Sequence, residues 1–205
     1  MQRLFQFIVL IVAFALSPLR WLLERATKRE EIIENVPAVE NGFGLRGSFV
    51  AECFDAAGNL KWREADHNQI KNAGLDYLLN TGFHAGSAVT TWYLGLITAG
   101  GTITTAGDTM SSHAGWTENT TYSDATRREW TEGASSSGVI TSSSTSDFNI
   151  NGSATIGGIF VTSDNTKSGT TGTLWSTAAF ASDQTVSSGD VLKISYTITM
   201  TAGAT

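Results

Sequence analysis

The chain has little cysteine, proline or charge. Its 205 residues include one cysteine, Cys53, and two prolines. A lone thiol excludes an intramolecular disulfide framework and a multi-cysteine zinc site. Two prolines beside 21 glycines exclude a collagen-like or proline-rich chain. Charged residues make up 16% of the whole, against a usual share of about 25%, so this is not a charge-rich disordered polymer. The net charge of −6 argues against a surface built to neutralise phosphates, and no nucleic-acid partner is expected.

Catalytic signatures are missing too. The three histidines, His67, His84 and His113, stand in no HExxH or other ligand spacing. There is no GxSxG, P-loop or GxGxxG, so nucleophile-elbow and phosphate-cradle chemistry lack a motif. Asp108, His113 and Glu118 share one loop-like stretch, which alone does not make a metal or acid–base site. Cys53 alternates with Phe49 and Ala51, the pattern of a small buried hydrophobe. The expectation is a non-enzymatic protein with no catalytic residues, no metal and no cofactor.

What charge there is lies unevenly. Ten charges fall between Arg3 and Glu40, whereas Gly133 to Thr205 holds six. Residues 101–150 include 21 Ser or Thr. This shift places a boundary near Val36-Pro37, with Asn41-Gly42 just beyond it. The reading is an arm over 1–36, a linker over 37–44 and a body over 45–205.

Within the arm, Leu4 to Leu16 is apolar at every position except Gln6. A basic start and Ala13 and Ala15 near its end fit a secretory signal. Its helical length of about 20 Å is too short to span a bilayer. Extended to residues 4–23 it becomes long enough, which keeps membrane insertion open. Arg20, Arg25, Lys28 and Arg29 then follow the span while only Arg3 precedes it. The positive-inside rule would leave the body in the cytoplasm. A third reading is an assembly arm, because Phe5, Ile8, Val12, Leu19, Leu22 and Ile33 fall on a 3-4 spacing. Ser17-Pro18 would cap a second helix and bend it.

The body reads as strands between Gly, Ser and Asn turns. Runs at 45–54 and 60–64 flank Asp55-Ala56-Ala57-Gly58-Asn59 as a hairpin. A short helix is expected over 68–79 despite Gly74. Further strands are expected at 91–98, 128–131, 148–150, 154–162 and 172–180. The clearest is the last, where Leu192, Ile194, Tyr196, Ile198 and Met200 alternate with polar residues. The fold class is therefore mainly β: an antiparallel sandwich or jelly-roll-like body with one short helix, behind an apolar helical arm. Trp62, Trp92, Trp116, Trp130 and Trp175 are candidate subunit-interface aromatics, with core positions and a carbohydrate platform as the other readings.

Several segments, in order, resemble small accessory virion proteins of tailed bacteriophages, of the head-decoration or cement kind. They are Asn59-Leu60-Lys61-Trp62-Arg63-Glu64, Asn72-Ala73-Gly74-Leu75 and Trp92 to Ile97. Ala106 to Met110, His113 to Glu118 and Tyr122 to Arg127 follow. Ala154 to Asn165, Gly172 to Trp175 and the strand from Ser188 complete the series, over roughly residues 45–200. The resemblance implies a homo-oligomeric virion component, assembled in the host cytoplasm, that meets other virion proteins such as the major capsid protein. It carries no catalytic residues to transfer. The arm before residue 37 departs from that pattern and leaves capsid lattice, vertex and tail open as locations. Two other classes remain: a tail fibre or spike module that binds host glycans, and a pilin-like filament subunit. For the latter, the glutamate expected five residues into the apolar segment is missing.

Overall fold

In the computed structural model, residues 43–202 are described. The positions assigned to the assembly arm, the membrane-length stretch 4–23 and nearly all of the linker lie outside them. Eleven strands and one helix make up the described body. The first sheet has the order β2-β1-β11-β7 and comprises β2 (Leu60–His67), β1 (Phe43–Phe54), β11 (Val191–Ala202) and β7 (Val139–Thr141), with β8 (Ser146–Asn149) also pairing with β11. The second has the order β3-β10-β9-β4-β5. Its strands are β3 (Gln69–Ile70), β10 (Leu174–Val186), β9 (Ala154–Thr162), β4 (Trp92–Thr98) and β5 (Glu118–Asn119), with β6 (Arg128–Trp130) also on β4. Every pairing is antiparallel. The helix α1 (Asn72–Phe83) follows β3.

The first and last described strands form the spine, β1 against β11 from Phe43↔Ala202 to Phe54↔Val191. Their alternation sets the inner face: Phe49, Ala51 and Cys53 of β1 and Leu192, Ile194 and Tyr196 of β11 are all buried. These side chains share one core with Leu94, Leu96, Ile159, Val161 and Phe180 of the second sheet. Rings bridge the sheets, Phe49 stacked on Phe180 at 5.7 Å and Trp130 edge-on to Tyr196 at 5.1 Å. On β11 the alternation fades toward the end, where Met200 is 42% exposed.

The second sheet is covered on both faces. Residues 99–117 fold over its outer side, where Ile103, Met110 and Trp116 form a second cluster with Ile97, Phe160 and Leu174. That is why β9 reads as an unbroken apolar run and not as an alternation. Gly157 and Gly158 in that run reflect close approach, because a Cβ on Gly158 would strike the carbonyl of Ala178 on β10.

The strand at 154–162 lies where the sequence places it, and 45–54 and 91–98 differ by a residue or two. The helix instead starts four residues later than expected. Asn68 donates its N–H to Gly47 O at 3.1 Å, and Gln69–Ile70 join β10, so this stretch is spent on sheet pairing. Lys71 then serves as the N-cap residue.

Gly74 sits where α1 crosses β10. A Cβ there would lie 2.6 Å from the carbonyl oxygen of Trp175, which already accepts the Lys71 N–H at 2.9 Å. Helix propensity alone would make Gly74→Ala stabilising by about 1 kcal/mol. Overpacking against a fixed carbonyl reverses the sign, and a loss of about 1–3 kcal/mol is expected in urea unfolding. A gain in stability would contradict this packing.

Candidate functional site: an aromatic cleft beside an apolar helix face

Rings from four elements converge on one cleft. Tyr77 comes from α1, Trp92 opens β4, Trp130 closes β6 and Trp175 lies on β10. Ile140 of β7 and Ile198 of β11 supply the first sheet's side, and Glu132 is the one carboxylate in the lining. The cavity measures about 180 Å³. Its rings meet at steep angles: Tyr77 to Trp92 at 82° and 5.2 Å, Trp92 to Trp175 at 60° and 5.9 Å.

The polar atoms of three of these four rings are already committed. The Tyr77 hydroxyl accepts the Val89 N–H at 2.9 Å. The Trp130 indole donates to Ser142 Oγ at 2.9 Å, and the Trp175 indole to the Tyr196 hydroxyl at 3.0 Å. What these three rings offer to the cavity is π surface. Glu132 is exposed and sits at the rim.

Next to the cleft, α1 turns an apolar stripe outward. Leu75, Leu79 and Phe83 are spaced four apart on one helix face and are 39%, 55% and 87% exposed. Residues 77–107 contain no Asp, Glu, Lys or Arg. The five basic and five acidic residues up to Glu40 cancel, so the whole net charge of −6 belongs to the body. This stretch is therefore an uncharged part of an acidic domain.

The tryptophans named from sequence divide. Trp116, Trp130 and Trp175 are 3%, 2% and 5% exposed. They belong to the chain's own interior and leave no broad face for a second subunit. Trp62 and Trp92 are partly buried against the core. Trp62 leans on Phe180 at 5.8 Å and donates its indole N–H to Thr185 O at 2.9 Å.

Asp108, His113 and Glu118 go to separate tasks. Asp108 accepts the Trp116 indole N–H at 3.0 Å and lies 4.0 Å from Lys71 Nζ. His113 stacks on Trp116 at 3.9 Å, and Glu118 pairs with Arg127. Among the described residues no group of three or more His, Cys, Asp or Glu converges as a metal site.

Two interior cations were not visible in the sequence. Lys71 is fully buried and donates to Gln69 Oε1 at 2.9 Å and to the carbonyls of Ile103 and Thr105 at 2.8 Å each. It thereby pins the covering loop, and burial pushes its ammonium below the usual lysine range, with Asp108 opposing. Arg127 meets Glu118 through two bonds, Nε to Oε1 at 3.0 Å and Nη2 to Oε2 at 2.9 Å. It also donates to the carbonyls of Asp164 at 2.8 Å and Gly169 at 2.9 Å.

Among the described residues no helix is long and apolar enough to cross a membrane. No family model matches the chain, and no curated protein matches it.

Proposed function

We propose that the protein is a non-enzymatic structural subunit of a tailed-bacteriophage virion, of the head-decoration or cement kind, that works as a homo-oligomer. In this reading the two sheets are the halves of a β-sandwich, jelly-roll-like body, residues 1–36 are the arm that anchors it to the major capsid protein, and its place is the virion.

The observation that supports assembly is the stripe of Leu75, Leu79 and Phe83. Three large apolar side chains in line on an otherwise soluble face mark a contact surface. A second copy of this chain is the occupant that the charge distribution favours. Two bodies of net charge −6 repel each other over most of their surface, and the charge-free stretch 77–107 is where they can approach. A self-complementary patch of this kind closes into a symmetric oligomer.

The test is the mass of the full-length protein in solution, measured by light scattering after gel filtration. The native chain is expected as an oligomer, and Leu79→Ser with Phe83→Ser is expected to shift it toward monomer. Both side chains are exposed, so the fold should lose no more than about 0.5 kcal/mol per site. A native chain that stays monomeric, or a variant with unchanged mass, would overturn assembly through this face.

A further inference from the structure

The cleft between α1, β4, β6 and β10 has a chemistry that structural assembly does not use. Its lining joins the rings of Tyr77, Trp92, Trp130 and Trp175 to aliphatic side chains such as Leu78, Val89 and Ile140, its rim carries Glu132, and its volume is about 180 Å³. An apolar cavity of about 150 Å³ is enough to hold a molecule the size of benzene. Such a site takes one of three ligand types: a sugar ring, a neutral hydrocarbon or an organic cation.

A sugar is a poor match. Saccharides lie flat on an open aromatic face and use many hydrogen bonds to their hydroxyls. Here the rings meet at 60° and 82° and offer no common plane. The Tyr77 hydroxyl and the indole N–H groups of Trp130 and Trp175 are already bonded within the protein. A neutral hydrocarbon would fill the cavity but gains nothing from Glu132. A methylated ammonium uses the aliphatic lining, the rings and the carboxylate together. Its N-methyl groups are apolar and need no hydrogen bonds, its charge is spread over a surface that π faces attract, and a carboxylate at the mouth complements it.

We propose that this cleft binds a quaternary ammonium group on a small polar molecule, of which choline is the simplest probe. Tyr77 and Trp92 form the accessible walls, the nearly buried Trp130 and Trp175 form the floor, and Glu132 supplies the countercharge. Trp92 is the key wall, because it stands between Tyr77 at 5.2 Å and Trp175 at 5.9 Å and is only partly buried. The inference is independent of the virion assignment, since it rests on the cavity alone.

The test is isothermal titration of the full-length protein with choline, phosphocholine, tetramethylammonium, the neutral isostere 3,3-dimethylbutanol and a methyl glucoside. Saturation transfer to the ligand methyl protons gives a second readout. Choline and tetramethylammonium should saturate at millimolar concentration or below. The neutral isostere should bind about tenfold more weakly or not at all. Glu132→Gln lies on the exposed rim and leaves packing intact, and it should weaken the cations and not the isostere. Trp92→Leu should weaken the cations about tenfold or more, with Trp92→Phe recovering part of the loss. Phosphocholine binding as well as choline would point to a headgroup or a conjugated source, and choline alone to the free cation. Equal binding of cation and isostere, binding of the glucoside in place of choline, or no saturation by any cation would each overturn the proposal.

Discussion

Glu118→Ala should lower the unfolding free energy by about 3–5 kcal/mol, the usual cost of leaving a buried charge without its partner. The Arg127 side chain is fully buried and that of Glu118 is 6% exposed. Removing the carboxylate takes away both charged acceptors of the guanidinium. The carbonyls of Asp164 and Gly169 still accept, and the Asp164 carboxylate lies 4.0 Å off, which sets the loss toward the lower end. Glu118 also accepts the Ser168 N–H at 2.7 Å, so the segment after β9 loosens with it. For a domain of ordinary stability, about 5–15 kcal/mol, this is a large share. Glu118→Gln keeps oxygen acceptors for part of the geometry and should cost less. Replacing both residues by Met should restore much of what Glu118→Ala loses, because an apolar pair strands no charge. Urea unfolding of the three variants checks this. A single variant as stable as the native chain would contradict the buried pair.

The second large effect is alkaline instability. Burial pushes the Cys53 thiol up to about 12, with the nearby Asp190 carboxylate adding to it. The Tyr196 phenol is pushed up to about 12 by burial, against hydrogen bonds with Ser176, Trp175 and Asn68 that oppose the shift. Burial also raises the Tyr122 phenol. Each group keeps its proton in the folded chain at a pH where the unfolded chain has released it. Their contribution is complete below the unfolded values, 9.0 for the thiol and 10.0 for the phenols, and is lost as pH rises toward 12. At about 1.4 kcal/mol per pH unit, Tyr196 alone accounts for roughly 2–3 kcal/mol across its window. Lys71 works the other way: its lowered value favours the fold as pH climbs toward 10.5, against the thiol and the phenols. The urea midpoint should therefore hold up to about pH 9 and fall steeply from there toward pH 12. Tyr196→Phe and Cys53→Ala should flatten that slope whatever they do to stability at neutral pH. A flat native profile would contradict the burial of these groups. Cys53 should also resist alkylation until the chain unfolds.

Most of the β framework is legible in the sequence because it rests on period-two patterning. The alternation of Leu192, Ile194 and Tyr196 places them inside, and Phe49, Ala51 and Cys53 follow the same rule. The strands that the sequence did not disclose, β3, β5 and β7, have two, two and three residues, too few for any period to register. The late start of α1 was hidden because β10, which claims Gln69 and Ile70, lies more than a hundred residues further on. From sequence, Arg127 and Lys71 carry no assigned role. Their carbonyl partners lie over thirty residues away along the chain, and nothing local announces burial.

The cleft shows the same division. From sequence its tryptophans are candidate interface aromatics, with core positions and a carbohydrate platform as the other readings, and not a cleft. That Trp92, Trp130 and Trp175 close on Tyr77 depends on β4 pairing with β6 through Trp92↔Trp130 and on α1 crossing β10 at Gly74. Both are long-range facts of the fold. The exposed stripe was in principle readable, since Leu75, Leu79 and Phe83 are four apart. Within the expected helix of 68–79, however, Phe83 fell outside and the face ended too soon.

The most direct test of a structural virion role is quantitative mass spectrometry of purified phage particles from cells that express this chain. The account predicts the protein in the particle at many copies, in fixed ratio to the major capsid protein and retained through density-gradient banding. Its absence from particles, or a trace level that washes away, would contradict the role.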